Sequence, residues 1–306
     1  MSGAAVVVGA TGFLGRNLVS ALAAEDRPVI AVSGRGAPVP GAHRAVTLSE
    51  LGHLDLPPET VVFHLAARRY DARTFAAEQP QVLADNVAIT QQVYEICAAK
   101  GVGEVRLASS VAVYPASRVV MDDGEPLDLN GAPHAGEAFY AWSKRWGEIL
   151  ADLYRAKHGV STVAFRITNP YGPHDTRDPA AAHVATAFVL RALEAGDQFL
   201  LRGRQVERDF VFAGDVADVF RRTAAWRQRH ETYNLGSGVN TSLEQLARAV
   251  LAASGSEKPL VFAEAPASGP AQRRIDATRL QAAFPRTWTP LDAGLAATVA
   301  WARGDG

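Results

Sequence analysis

The chain has 306 residues, enough for one large domain or two intimate ones with a core that needs no disulfide or metal staple. Hydrophobic residues make up 48% and charged residues 21%, ordinary globular usage that excludes wholesale disorder. A net charge of −1 excludes a global basic field for nucleic acid or an anionic membrane, and the single cysteine, Cys97, excludes an internal disulfide and argues against a cysteine-based zinc site.

Met1-Ser2-Gly3 runs into the apolar Ala4–Val8 without a basic leader region, and glycines stop the run far short of a secretory signal. No stretch approaches the ~20 apolar residues of a membrane span, so a cytoplasmic protein is expected. Strand-like runs follow at Ala5–Val8, Val29–Val32, Val61–Leu65, Val105–Ala108 and Val160–Ile167. Their Val and Ile content without strict alternation suits strands buried on both faces. Helical patterns lie between them at Phe13–Ala24, Gln81–Lys100 and Ala138–His158. This alternation predicts an α/β fold, a Rossmann-like doubly wound parallel sheet with right-handed crossovers. After about residue 170 the rhythm changes. Helices are predicted at Ala180–Ala195, Asp215–Arg227, Ser242–Ser254, Ala277–Ala283 and Leu291–Arg303, and strands at Phe199–Leu201 and Asp209–Phe212. The expected division is a dinucleotide-binding domain over 1–168, with 205–235 returning to it, and a smaller, interleaved C-terminal substrate lobe over 169–306.

Gly9-Ala10-Thr11-Gly12-Phe13-Leu14-Gly15 ends the first strand and opens the first helix. Glycines three apart permit a tight turn, close approach of backbone N–H groups to a pyrophosphate, and close helix packing. A lone pattern of this kind is weak, but the strand–loop–helix context points to dinucleotide binding. The second strand ends in Val32-Ser33-Gly34-Arg35, without the carboxylate that commonly holds the NAD ribose. Arg35 can instead meet a 2′-phosphate, so NADP(H) is favoured over NAD(H).

Tyr140-Ala141-Trp142-Ser143-Lys144 puts a phenol and an ammonium on one helix face. A neighbouring cation favours the phenolate, which fits the pair for moving a proton. Ser109-Ser110 follows directly on the strand ending at Ala108 and can hydrogen-bond a reacting oxygen. Asp122-Asp123 and the scattered histidines lack metal-ligand spacing, Arg202-Gly203-Arg204 is too small for nucleic acid, and Gly236-Ser237-Gly238 is followed by no P-loop lysine. Cys97 reads as an inert core residue, and no metal is expected.

The ordered set Gly9–Gly15, His64-Leu65-Ala66-Ala67, Asn86 at a helix start, Ser109–Pro115, Tyr140–Lys144, Asn169–Pro173, Arg208-Asp209-Phe210, Asp215, Asn234–Gly238 and Thr289–Trp301 resembles extended short-chain dehydrogenases/reductases of the nucleotide-sugar epimerase/dehydratase/reductase group. The resemblance spans nearly the whole chain. It implies Ser110, Tyr140 and Lys144 as the catalytic triad, with Leu65, Ala66, Ala67 and Ala108 along the cofactor cleft and Lys144 also on the nicotinamide ribose. It implies substrate contacts from Ser110, Asn169, His183 and a diphosphate clamp at Arg208, with Arg273 or Arg274 as a second contact and Arg274 preferred. Val113-Tyr114-Pro115, Tyr171–Asp175 and His183-Val184 resemble GDP-fucose synthases, but the position of their epimerising cysteine reads Ala112. The expected function is therefore NADPH-dependent reduction of a 4-keto (deoxy)sugar nucleotide, with Tyr140 as general acid. The alternatives are a nucleotide-sugar 4-epimerase with tightly bound NAD and, remotely, a non-catalytic NADP-sensing regulator. A nucleotide-diphosphate sugar is the expected partner, with no nucleic acid and no membrane, and a homodimer is one assembly open to the chain.

Overall fold

The computed structural model describes residues 3–25, 27–68, 75–264 and 273–304; the Met1-Ser2 start discussed above lies outside them. In chain order the first half holds β1 (Ala5–Val8), α1 (Phe13–Ala23), β2 (Val29–Val32), β3 (Arg44–Val46), α2 (Leu48–Leu51) and β4 (Val61–His64). It continues with α3 (Phe75–Lys100), β5 (Glu104–Ser110), a 3-10 turn at Val111–Val113, β6 (Val120–Asp122), α4 (Ala138–His158) and β7 (Ser161–Ile167). The second half holds β8 (Asn169–Tyr171), α5 (Val184–Leu193), β9 (Phe199–Arg202), β10 (Glu207–Phe212), α6 (Ala213–Thr223) and β11 (Glu231–Leu235). Last come β12 (Asn240–Ser242), α7 (Leu243–Ser254), β13 (Leu260–Ala263), β14 (Arg274–Asp276), α8 (Thr278–Ala283) and α9 (Leu291–Arg303).

Seven strands form one parallel sheet in the order β11-β7-β5-β4-β1-β2-β3. Side chains alternate across its faces with the period of two that strands impose. Ala5 and Val7 enter one core with Leu18, Val19 and Leu22 of α1 and Val216, Val219 and Phe220 of α6. Val6 and Val8 enter the other with Val93 and Tyr94 of α3 and Leu150 and Ala151 of α4. This two-sided burial is the physical reason the strands read as continuous apolar runs. The strand order reverses between β1 and β4, so the crevice at their carboxyl ends is the natural ligand site of such a sheet.

The C-terminal segments build a third core from α5, α7, α9 and β9, where Phe188 meets Phe199 edge-on at 5.4 Å. Small sheets β12-β10-β8, β13-β9 and β14-β6 frame it. The chain returns to the large sheet through α6 and β11, whereas β10 pairs with β8 and β12. Several predicted boundaries differ, among them α6, which runs Ala213–Thr223 rather than Asp215–Arg227. Helix α3 starts at Phe75 rather than Gln81, with Pro80 inside it near its start. Asn86 is therefore not at a helix start but a full three turns in. Helix α5 is shorter than Ala180–Ala195, because Asp175–Ala182 is drawn into a hydrogen-bonded loop.

Candidate active site

A cleft of about 490 Å³ opens at the carboxyl ends of the central strands. Its floor begins with the glycine loop. Gly9 has φ +90°, and a Cβ there would come within 2.6 Å of the Ala66 nitrogen. Only glycine lets β1 and the end of β4 approach this closely. Gly12 is the N-cap of α1 and offers no side-chain cap, and the first turn carries no acidic residue. The leading N–H groups of α1 are thus left for an anion at the positive end of the helix. The Gly9 and Ala10 N–H groups bond the Val32 carbonyl at 2.9 and 3.1 Å, which sets the end of β2 beside the loop. Gly9, Thr11, Gly12, Phe13, Leu14, Gly15, Leu65, Ala66, Ala67 and Ala108 all line the cleft, and the donor set and the shaped backbone fit a dinucleotide pyrophosphate.

Ser110, Tyr140 and Lys144 line the same cleft. Adjacent strand residues face opposite ways, and the two serines part accordingly. The Ser109 hydroxyl donates to Glu148 at 2.5 Å, while Ser110 accepts from the Ala112 N–H at 3.2 Å and keeps its own proton to donate. The Lys144 ammonium donates to the Ala108 carbonyl at 2.7 Å and stands 5.6 Å from the centre of the Tyr140 ring. Burial lowers Lys144 to about 8, against the opposing pull of Glu148. Burial, with Lys144 nearby, lowers His64 to about 3, so its imidazole is neutral at pH 7; its Nε2 lies 3.0 Å from the Thr90 hydroxyl. Asn86 grips the backbone of Arg68, accepting from its N–H at 2.6 Å and donating to its carbonyl at 3.0 Å. Its amide also donates to Ser143, whose hydroxyl bonds the Tyr140 carbonyl at 2.7 Å. That chain ties the loop after β4 to the helix carrying the tyrosine.

A family model described as "NAD dependent epimerase/dehydratase family" matches residues 5–236. The chain belongs to this family. As a member it is an NAD(P)-dependent enzyme. It is 29% identical to the UDP-glucose 4-epimerase of Mycolicibacterium smegmatis, over 97% of this chain and 98% of that one. It is 27% identical to a dTDP-4-dehydro-6-deoxy-D-allose reductase from a Streptomyces species, over 97% and 95%. The structure of MoeE5 in complex with UDP-glucose and NAD matches with a TM-score of 0.81 and 28% identity, covering 99% of both chains.

In this family member the far end of the cleft is polar. Asn169 lines it and donates to the Asp209 carbonyl at 2.8 Å. His183 also lines it, 5.0 Å from the Phe13 ring, with its Nδ1 and its backbone N–H each 3.0 Å from Asp175. Burial alone would raise Asp175, but the hydrogen bonds and charge of His183 and the Thr176 N–H together hold it below the usual carboxylate value. The residues around Asn234–Gly238 serve structure: Asp209 accepts from the Ser237 and Gly238 N–H groups at 2.9 and 2.6 Å.

Four predicted site residues lie outside the cleft lining. Ser33 accepts from the Ala37 N–H at 3.1 Å and Arg35 is exposed, both on the loop after β2, next to the glycine loop. Arg208 is half-buried on β10; burial and the charge of Arg273 lower it, while Glu137 opposes them. The two candidate second arginines differ in their surroundings. Arg274 is exposed, whereas Arg273 is buried, with its Nη1 3.0 Å from both carboxylate oxygens of Glu137. Glu137, which lines the cleft three residues before Tyr140, was missed by sequence reasoning. A carboxylate at the entry to a helix carries no signal until its partner arginine is folded beside it.

Proposed function

We propose that this chain is an NADPH-dependent reductase of a 4-keto (deoxy)sugar nucleotide. The observation that carries the reductase reading is the end of β2, where Ser33 and the exposed Arg35 stand beside the glycine loop in place of a carboxylate. An acidic side chain there would repel a 2′-phosphate; a serine and an arginine can hold one. The reductase relative at 27% identity supports the same reading.

The residues take these roles. The backbone of Gly9–Gly15 and the first turn of α1 hold the pyrophosphate, and Leu65, Ala66, Ala67 and Ala108 shape the cleft around the rings. When bound, the dinucleotide supplies the hydride to the keto carbon. Tyr140 gives its proton to the oxygen that gains charge, and the Ser110 hydroxyl steadies that oxygen. Lys144, pinned on Ala108, is the positive charge beside Tyr140 and the contact to the ribose. Asn169, Arg208 and Arg273 receive the nucleotide diphosphate, and His183 faces the sugar. Ala112 stands where the epimerising cysteine of GDP-fucose synthases is expected, so among the described cleft residues no thiol accompanies His183.

The second reading is a 4-epimerase with retained NAD, favoured by the 29% identical relative and the 28% identical structure that holds UDP-glucose and NAD. Two measurements on the purified protein separate them: the dinucleotide it retains, identified by mass spectrometry, and turnover of 4-keto-6-deoxy sugar nucleotides with NADPH against UDP-glucose alone. NADPH oxidation supports the reductase. Retained NAD with interconversion of UDP-glucose overturns it.

A further inference from the structure

We propose that Glu148 is a positioning residue of the proton-handling pair: clamped by Arg166 and Ser109, its carboxylate is the fixed counter-charge that keeps Lys144 an ammonium beside Tyr140. Glu148 follows Lys144 by four residues on α4, so both stand on one helix face. The carboxylate cannot swing away. Arg166 of β7 holds it with two hydrogen bonds, Nε to Oε1 at 3.0 Å and Nη2 to Oε2 at 2.7 Å. Ser109 of β5 adds a third at 2.5 Å. The side chains of Arg166 and Glu148 are only 5% and 12% exposed.

The clamp is itself anchored. Arg166 Nη1 donates to the Tyr114 hydroxyl at 2.9 Å, and Tyr114 donates to Asn234 Oδ1 at 2.8 Å. The Asn234 amide donates to the Met121 and Asp276 carbonyls at 2.9 and 2.8 Å. A continuous polar rod thus runs from the catalytic helix through β7 and β11 to the β6–β14 pair, next to Arg273. Buried ion pairs of this depth often stabilise a fold no better than well-packed apolar groups would, so stability alone is a weak reason for one here.

The charge of Lys144 supplies a stronger reason. Its hydrogen-bond acceptor is the neutral Ala108 carbonyl, and burial drags the ammonium down to about 8. Around it, His64 at the end of β4 is neutral at pH 7 and adds no negative charge. On β5 the near side chains are the hydroxyls of Ser109 and Ser110. On α4, Tyr140 lies a turn before it, and Arg145 turns away to the Val113 and Gly131 carbonyls. Arg166 of β7 faces Glu148 and Tyr114. Glu137 lines the cleft but is taken up by Arg273. Glu148 is the carboxylate whose field supports Lys144.

The test reads Lys144 itself. The chain has four lysines, Lys100, Lys144, Lys157 and Lys258, so NMR of lysine-labelled protein follows each side chain through a pH titration. In Glu148→Gln, the Lys144 midpoint should fall by about one pH unit, as expected for loss of a nearby opposite charge. The other three lysines should not move. Because Glu148→Gln leaves Arg166 buried without its counter-ion, the double variant Glu148→Gln/Arg166→Met repeats the test without that strain, and Glu148→Asp should restore most of the wild-type value. A Lys144 midpoint unchanged in either folded Gln variant overturns the proposal, since a purely structural Glu148 would not move it. The kinetic counterpart, an alkaline limb of kcat displaced by the same amount, rests on the reductase reading. Absence of turnover with every keto sugar nucleotide would defeat that reading and leave the NMR test standing.

Discussion

The Lys144 ammonium reaches back from α4 to the Ala108 carbonyl at 2.7 Å, joining the middle of a helix to the end of the strand that carries Ser110. Through that one bond the phenol–ammonium pair and the serine hydroxyl are fixed relative to each other, although 30 residues of chain separate Ser110 from Tyr140. Positioning groups in this way can supply a large share of the rate of an enzyme site.

Tyr140→Phe should remove the proton donor and little else. Turnover is expected to fall by about a hundredfold or more, while the dinucleotide still binds. Steady-state kinetics and calorimetry of the variant check both halves, and turnover within a few-fold of wild type would remove Tyr140 from the mechanism.

Rate should depend on pH through Lys144. With its value near 8, the ammonium is lost as pH rises through about 8, and kcat should decline over that range. Stability runs the other way. The folded value lies below the ordinary 10.5, so between about 8 and 10.5 the unfolded chain binds more protons, and this group's contribution to stability rises with pH. Loss of rate near pH 9 should therefore come with an unchanged circular dichroism spectrum.

Arg208→Ala should weaken the nucleotide sugar and spare NADP(H). A charge-assisted contact to phosphate is worth roughly 1.5–3 kcal/mol, so KM should rise about tenfold or more. Equal KM for wild type and variant would show that Arg208 is not the diphosphate clamp.

Cofactor choice should turn on the loop after β2. Ser33→Asp can still accept from the Ala37 N–H, as the serine does at 3.1 Å, so the loop should keep its shape. Combined with Arg35→Ala, it adds an acceptor for a ribose 2′-hydroxyl and removes the counter-charge of a 2′-phosphate. Wild type should bind NADPH more tightly than NADH, and the double variant the reverse. Titration calorimetry decides it, and a wild-type preference for NADH would defeat the NADP assignment.

Gly15→Ala should damage the loop from within. A Cβ there would collide with the Gly9 carbonyl oxygen and lie 2.8 Å from Ala10 Cα. Overpacking of this kind costs roughly 1–3 kcal/mol, read as a lowered Tm, and dinucleotide affinity should fall with it. A variant with unaltered melting and affinity would show that the loop yields.

The sequence by itself determined the five contiguous strands β7, β5, β4, β1 and β2 of the large sheet and the pairing of Tyr140 with Lys144 on one helix face, because both depend on short-range spacing. Ala5–Val8, Val29–Val32 and Ala138–His158 end where their apolar runs and helical periods end. Gly9–Gly15 is legible because backbone approach demands glycine, and Tyr140 with Lys144 because four residues make one helical turn. Tertiary structure decided the rest. Strand β11 was read only as a motif, since its place beside β7 depends on partners about 70 residues away. The short β3, β6 and β14 depend on pairing in the same way. Pro80 hid the first turns of α3, because a proline ordinarily marks a boundary. The contrast between Ser109 and Ser110 is a choice of strand face, and that between Arg273 and Arg274 is one of burial, Arg273 standing just before β14. Sequence leaves each such pair equivalent, and only Glu148 packed against one serine and Glu137 against one arginine tell them apart.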